Sequence, residues 1–149
     1  MKNNISLIYL VDDDEDDRLF FSDAFAETDY SPEIVTYDSG LKMLEHLEDE
    51  TILPEIIFVD LNMPHISGLE CLKRLKGNKK FENISVAIYS TSDADKDVGS
   101  SYKQGANLYI KKQSSFQDIV KTMNIVLTMN WKDHNSKRTE DNFVLEVTK

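Results

Sequence analysis

Glu55-Ile-Ile-Phe-Val-Asp60, followed at once by Leu61-Asn-Met-Pro-His-Ile-Ser-Gly68, decides the fold. A short apolar run of this kind reads as a strand buried on both faces. Its last residue is a carboxylate, and the loop behind it contains Pro64, which blocks helix continuation, and Gly68, which permits a close turn near a ligand. Ile5-Ser-Leu-Ile-Tyr-Leu-Val11 repeats the arrangement and ends in Asp12, Asp13 and Asp14. Two parallel strands that both finish in carboxylates bring them together at one sheet edge. Such a cluster suits a hard divalent cation, and one member of it can act on a phosphoryl group.

Outward from these two runs, apolar patterning alternates between strand and helix. Residues 15–27 read as a helix with Leu19, Phe20, Ala24 and Phe25 on its apolar face. Ile34-Val-Thr-Tyr37 is a short strand, and Ser39 is placed to cap a helix carrying Leu41, Leu44 and Leu47. Leu69, Leu72 and Leu75 mark a third helix, Ile84 to Ser90 a fourth strand, and residues 93–104 a weaker helix closed by Gly105. Leu108-Tyr-Ile-Lys111 is a fifth strand. Ser114 or Ser115 caps a helix through Ile119, Met123, Val126 and Leu127. Five βα units imply a parallel sheet with helices on both faces, right-handed crossovers, and ligand sites at the carboxyl ends of the strands.

After Trp131 the chain turns polar and patternless as far as Asn142, then carries Phe143-Val-Leu-Glu-Val147. Residues 1–130 are therefore expected to form the domain. Residues 131–149 form a C-terminal extension that either adds a strand at a sheet edge or stays disordered.

Bulk composition narrows the function. With 17 Lys+Arg against 27 Asp+Glu, the formal charge of the 149 residues is −10. Non-specific nucleic-acid binding and docking on an anionic membrane both require the opposite excess. No apolar stretch approaches the ~20 residues of a membrane span, and Met1-Lys-Asn-Asn leads straight into a strand with no signal peptide. The single cysteine, Cys71, allows no intrachain disulfide and is expected in the core. These features give the expectation of a soluble, cytoplasmic protein.

Asp12 to Asp17 is an unbroken run of six acidic residues. Asp14 as N-cap and Glu15, Asp16 and Asp17 near the positive end of a helix dipole account for four of them. Asp12 and Asp13 precede the helix, and like charges at a strand end are costly without a cation. An EF-hand reading fails, because the sixth position holds Asp17 instead of Gly and the twelfth Asp23 instead of Glu. Ser90, Thr91 and Ser92 close the fourth strand and Lys112 the fifth. Acid, hydroxyl and ammonium at one edge are what a phosphoryl group needs. His46, His65 and His134 lack ligand spacing and are read as surface residues.

Taken together, Val11-Asp-Asp, Val59-Asp-Leu-Asn-Met-Pro-His-Ile-Ser-Gly68, Tyr89-Ser90 and Gly105-Ala-Asn-Leu-Tyr-Ile-Lys-Lys112 resemble the response-regulator receiver domain of two-component signalling, over about residues 5–130. Within that family the chain is most similar to the stand-alone receivers associated with bacteriophytochrome kinases. The resemblance implies a flavodoxin-like (βα)5 sheet of strand order 2-1-3-4-5. It implies Asp60 as the acceptor of phosphate from a histidine kinase or phosphotransfer protein. Mg²⁺ would be held by Asp12 (through a water), Asp13, Asp60 and the backbone carbonyl of Asn62. Lys112 and Ser90 would contact phosphoryl oxygens, and Tyr109 would turn in as Ser90 moves. The face of the fourth helix, fifth strand and fifth helix would then change its affinity for a downstream protein or a second copy.

Two positions depart from the family pattern. Gln113 stands where proline follows the lysine. A cis non-proline bond costs about 2.5–4 kcal/mol, so a trans Lys112–Gln113 bond is expected. Thr91 is bulkier than the small residue usual beside the switch hydroxyl. The alternatives are a phosphorelay intermediate, a degenerate receiver that binds without phosphorylation, and an aspartyl-phosphate phosphohydrolase. The hydrolase is disfavoured because Asn62 stands where such enzymes place an acidic aspartate.

Overall fold

A computed structural model describes residues 5–146. Five parallel strands, β1 (Leu7–Val11), β2 (Glu33–Tyr37), β3 (Ile56–Val59), β4 (Ser85–Ser90) and β5 (Leu108–Lys111), form one sheet of order 2-1-3-4-5. The helices that follow them in turn are α1 (Glu15–Ala26), α2 (Gly40–Asp49), α3 (Gly68–Lys76), α4 (Asp95–Lys103) and α5 (Phe116–Thr128). This is the flavodoxin-like arrangement. Met1–Asn4, read above as lacking a signal peptide, and Val147, the end of the last apolar run, lie outside the described residues.

Alternation along each strand divides the core in two. Tyr9, Val11, Ile57, Val59, Val86 and Ile88 face α2 and α3, where Met43, Leu47, Cys71, Leu72 and Leu75 are buried. Ile8, Leu10, Ile56, Phe58, Ala87 and Tyr89 face α1 and α5, against Phe21, Phe25, Met123 and Val126. Cys71 lies in this core as expected, and burial pushes its thiol up to about 11. Side-chain caps start four of these five helices: Asp14 accepts from the Asp17 amide, Ser39 from Lys42, Ser67 from Glu70 and Ser115 from Asp118. The cap of α5 is thus Ser115, not Ser114. The α4 helix has no side-chain cap and buries only Ser101, which fits its weak apolar signal.

The apolar face of α1 differs from the expected one. Leu19 and Phe20 are 56% and 52% exposed, while Phe21, Ala24 and Phe25 are buried. A stripe through positions 21, 24, 25 and 28 follows the i, i+3, i+4, i+7 rule better than one through 19 and 20. Phe21 packs edge-on against Phe58, with ring centroids 4.8 Å apart. On α2, Leu41 is likewise exposed and Met43 takes the core position.

Beyond α5 the chain forms a short helix α6 (Trp131–Ser136) and a 3₁₀ turn at Glu140–Asn142. Trp131 is buried and its indole N–H donates to the Val126 carbonyl at 2.9 Å. His134 is half-buried, not a free surface residue. Its Nε2 lies 2.7 Å from the Asn107 carbonyl. His46 is exposed but bonds Tyr37 and pairs with Glu50, whereas His65 is exposed in a left-handed turn (φ 70°). Val144 forms a parallel bridge with Tyr109 at the outer edge of β5.

The end of the sheet away from the acidic residues is tied by Lys76. Its ammonium donates to Asn107 Oδ1 at 2.7 Å and to the Ile84 carbonyl at 3.0 Å. Burial, and secondarily the cation of Arg138, push it down to about 8. The unfolded chain, with the ordinary value near 10.5, therefore binds more protons between those limits. Stability from this group is expected to rise as pH increases from 8 towards 10.5. In urea titrations at pH 8.0 and 9.5, the difference between wild type and Lys76→Met should shift in favour of wild type at the higher pH. The α1 face gives a second prediction. Phe21→Ala should cost about 3–5 kcal/mol, and Phe20→Ala less than about 0.5 kcal/mol, by the same measurement.

Candidate functional site

Register brings the acidic residues together. β1 and β3 are neighbours with Val11 paired to Val59, so Asp12 and Asp60 leave the sheet side by side. The Asp60 amide donates to the Val11 carbonyl at 3.1 Å. On the other side, Ser90 pairs with Lys111, and the Lys112 amide donates to the Ser90 carbonyl at 2.8 Å. Four strand ends thus deliver their side chains to one edge of the sheet. The peptide bonds of the described residues are all trans, including Lys112–Gln113.

Asp12 is fully buried, Asp60 nearly so, and Asp13 exposed. Carboxylate oxygens from the three lie within 4.8 Å of one another. The counter-charge is Lys112, whose ammonium lies 2.8 Å from Asp12, 2.7 Å from Asp17 and 3.5 Å from Asp60. Burial alone would push this ammonium down, but Asp12 and Asp17 outweigh it and hold it above the ordinary lysine value. Burial raises the Asp60 carboxyl to about 6, with the Lys112 charge opposing and the Asp12 charge adding to the rise.

Asp17 is a residue of this site that the acidic run concealed. As the third residue of α1, it was accounted for by the helix dipole. In the structure it points back to Lys112. A usable signal exists in its spacing: with Asp14 as cap, position 17 lies on the turn that faces the strand end. Arg18 also contributes, donating to the Asp12 carbonyl at 2.8 Å.

The loop after Asp60 is held by backbone proximity. A Cβ on Gly68 would lie 2.2 Å from the Asp60 carbonyl oxygen and 2.7 Å from the Leu61 Cα, so glycine is required by the chain's own approach. The close turn expected at Gly68 is thus made against the chain's own backbone at Asp60 and Leu61. Asn62 is exposed, and its backbone amide helps hold the Asp60 charge.

Ser90 is fully buried and its Oγ accepts from the Ser92 amide at 3.1 Å, while Thr91 is exposed. Tyr109 is inward, 1% exposed, and its hydroxyl donates to the Ser92 carbonyl at 2.7 Å. Chemically, the edge offers hard oxygen donors on one side and an ammonium and a hydroxyl on the other.

Residues 8–124 match the family model described as the response regulator receiver domain. The chain belongs to this family. It is 27% identical over 124 residues to the response regulator Rcp1 of Synechocystis, covering 80% of this chain and 84% of Rcp1. It is also 27% identical over 121 residues to a probable methanogenesis regulatory protein, FilR2, of Methanothrix harundinacea, covering 78% of each chain. Among solved structures, the phosphorylated cyanobacterial phytochrome response regulator RcpA superposes with a TM-score of 0.75 at 28% identity, over 82% of this chain and 91% of RcpA. The Mn²⁺-bound form of Rcp1 gives 0.73 at 26%, over 81% and 91%. Receivers belong to two-component systems, and the acidic pocket of this one is compatible with Mg²⁺.

Three clustered carboxylates are the donor set that hard divalent cations prefer. Both Asp12 oxygens already have protein partners, Lys112 and the Asp14 amide, so the exposed Asp13 is the most available ligand. Asp13→Asn is expected to weaken Mg²⁺ or Mn²⁺ binding about tenfold, equivalent to about 1.4 kcal/mol, with the circular dichroism spectrum unchanged. Titration calorimetry or Mn²⁺ relaxation at pH 7.5 measures it.

Proposed function

We propose that this receiver takes a phosphoryl group onto Asp60 from the phosphohistidine of a histidine kinase or phosphotransfer protein, and then binds a downstream protein differently. The observation that carries the reading is the placement of one buried ammonium, Lys112, against both Asp12 and Asp60 at the carboxyl edge of the sheet. A carboxylate is a weak nucleophile, so transfer depends on positioning and charge neutralisation more than on activation. An Asp60 oxygen attacks phosphorus as the bond to the imidazole nitrogen breaks, leaving an acyl phosphate. Lys112 neutralises one phosphoryl oxygen, and the Ser90 hydroxyl donates to another.

Asp13, Asp60 and the Asn62 carbonyl would hold Mg²⁺ directly, and Asp12 through a water. Bound there, the ion supplies positive charge to the transferring phosphoryl oxygens. Deprotonated Asp60 is required both as ligand and as nucleophile, and above pH 6 it is the dominant form.

In this reading the output is a shift between two surfaces. Phosphoryl oxygens draw on Ser90, and Tyr109 in its inward position is the aromatic partner of that change. The altered face consists of α4, β5 and α5, and it serves a target protein or a second copy of the chain. The chain spans most of Rcp1 and FilR2, which supports a receiver unit of about residues 1–130 that signals by binding, with residues 131–149 as its extension. A relay intermediate uses the same chemistry. A degenerate receiver is disfavoured by the presence of Asp12, Asp13, Asp60, Ser90 and Lys112 together. A phosphohydrolase would need an acid at position 62, and an asparagine amide cannot serve as one. The reading thus makes the protein a phosphate carrier and not an enzyme in the usual sense. Its compartment is the cytoplasm. No helix among the described residues is long and apolar enough to cross a membrane, and the net charge of −10 disfavours nucleic acid as the target.

Incubation with acetyl phosphate and Mg²⁺ should label the wild type with acid-stable, alkali-labile phosphate. Asp60→Asn should abolish the label. Label retained by that variant would assign the chemistry to another residue.

A further inference from the structure

Residues 138–145 lie across α4 and the outer edge of β5 as a strap, and their contacts converge on Tyr109. The Tyr109 amide donates to the Phe143 carbonyl at 3.0 Å, and the Leu145 amide donates to the Tyr109 carbonyl at 2.9 Å. Both backbone groups of Tyr109 that face outward from the sheet edge are thereby paired. The Phe143 side chain is 1% exposed and joins the core on the α2–α3 side of the sheet. Its ring stands edge-on to Tyr109 (centroids 6.0 Å apart) and to Tyr102 of α4 (5.3 Å). The Arg138 guanidinium lies 3.9 Å from the Tyr102 ring centroid, which fastens the other end of the strap by a cation–π contact.

The same Tyr109 reaches the pocket from its other end. Its hydroxyl holds the Ser92 carbonyl, and the Ser92 amide holds Ser90 Oγ. A continuous chain of contacts therefore runs from Phe143 through the Tyr109 ring to the hydroxyl that lines the Asp60 site. If Tyr109 left its inward position, it would give up the Phe143 ring contact and the hydrogen bond to Ser92 together.

We propose that the strap is a built-in effector of the phosphoryl site: by clamping Tyr109 inward it pre-orders the Ser90–Ser92 loop and so favours occupancy of Asp60. This rests on the reading of Asp60 as phosphoacceptor. The physical argument is pre-organisation. Donors that are already ordered cost less to engage than donors that must be ordered on binding. Coupling is reciprocal, so a phosphoryl group at Asp60 must in turn hold the strap more tightly. The edge pairing has a second consequence. A partner that approaches the α4–β5 face meets the strap and not a bare strand edge, so strap position and phosphorylation report to that partner jointly.

Leu145→Pro removes the amide that bonds Tyr109 and leaves every side chain at the Asp60 pocket intact; Phe143→Ala removes the ring contact alone. Each should weaken binding of beryllium fluoride, used with Mg²⁺ as the phosphoryl probe, about fivefold or more, the low end of ordinary allosteric couplings. In the full chain the probe should slow hydrogen exchange at the Leu145 amide by a similar factor. Unchanged affinity in a Leu145→Pro chain whose Tyr109 amide has become freely exchanging would overturn the coupling. So would faster exchange at Leu145 when the probe binds. A full chain that binds no probe at all refutes the Asp60 reading itself, and the coupling with it.

Discussion

Everything at the functional edge depends on one ion pair, Lys112 with Asp12, buried at 2.8 Å. Parallel pairing of β1 with β3 forces Asp12 and Asp60 to leave the sheet as neighbours, and burial of two carboxylates is unfavourable without a compensating charge. That charge arrives from β5, two strands beyond β3, through a register set by the bond from the Lys112 amide to the Ser90 carbonyl. Asp17 and Arg18 then complete the network from α1, and the net effect keeps Lys112 charged while Asp60 titrates near 6. On the proposed reading, this is the carboxylate that meets a divalent cation and a phosphoryl group. The need to neutralise the edge and the capacity to do chemistry there have one physical origin.

Much of this was legible in the residues. Strand ends carry their chemistry in plain sight, because a buried parallel strand is a continuous apolar run and the first polar residue after it is conspicuous. Asp12, Asp60 and Ser90 could be found in that way, whereas Asp13 needed the rest of its acidic run and the choice of Lys112 over Lys111 came from the resemblance to receivers. Helix faces were harder. In α1 the choice between Phe20 and Phe21 rests on a rotation of one residue, and three adjacent apolar side chains, Leu19, Phe20 and Phe21, blur the period. Phe21 wins because it meets Phe58. Asp17 was hidden by a sufficient local explanation: an acid in the first turn of a helix already has a role, so its partner 95 residues away is invisible to local reasoning. Gly68 was recognised as necessary, but its neighbour is the Asp60 backbone, a contact only the folded loop creates.

The C-terminal segment shows the same limit from the other direction. Between Trp131 and Asn142 no period is present to read, because the segment buries single residues and not a face. Trp131 fills a place beside α5, His134 reaches Asn107, and Phe143 inserts between Tyr102 and Tyr109. Each anchor is set by long-range contact alone. Through Tyr109 the last of them joins the α4–β5 face to the pocket, so the part of the chain with the weakest sequence signal is tied to the part with the strongest.

The central claim is that Asp60, and no other member of the acidic cluster, carries the phosphoryl group in a cation-dependent reaction. Borohydride reduction after treatment with a phosphodonor converts an aspartyl phosphate to homoserine, which peptide mass spectrometry locates. The account predicts homoserine at position 60, in a yield that falls to background when Mg²⁺ is chelated. Homoserine at position 12, 13 or 17, or a yield indifferent to chelation, would contradict it.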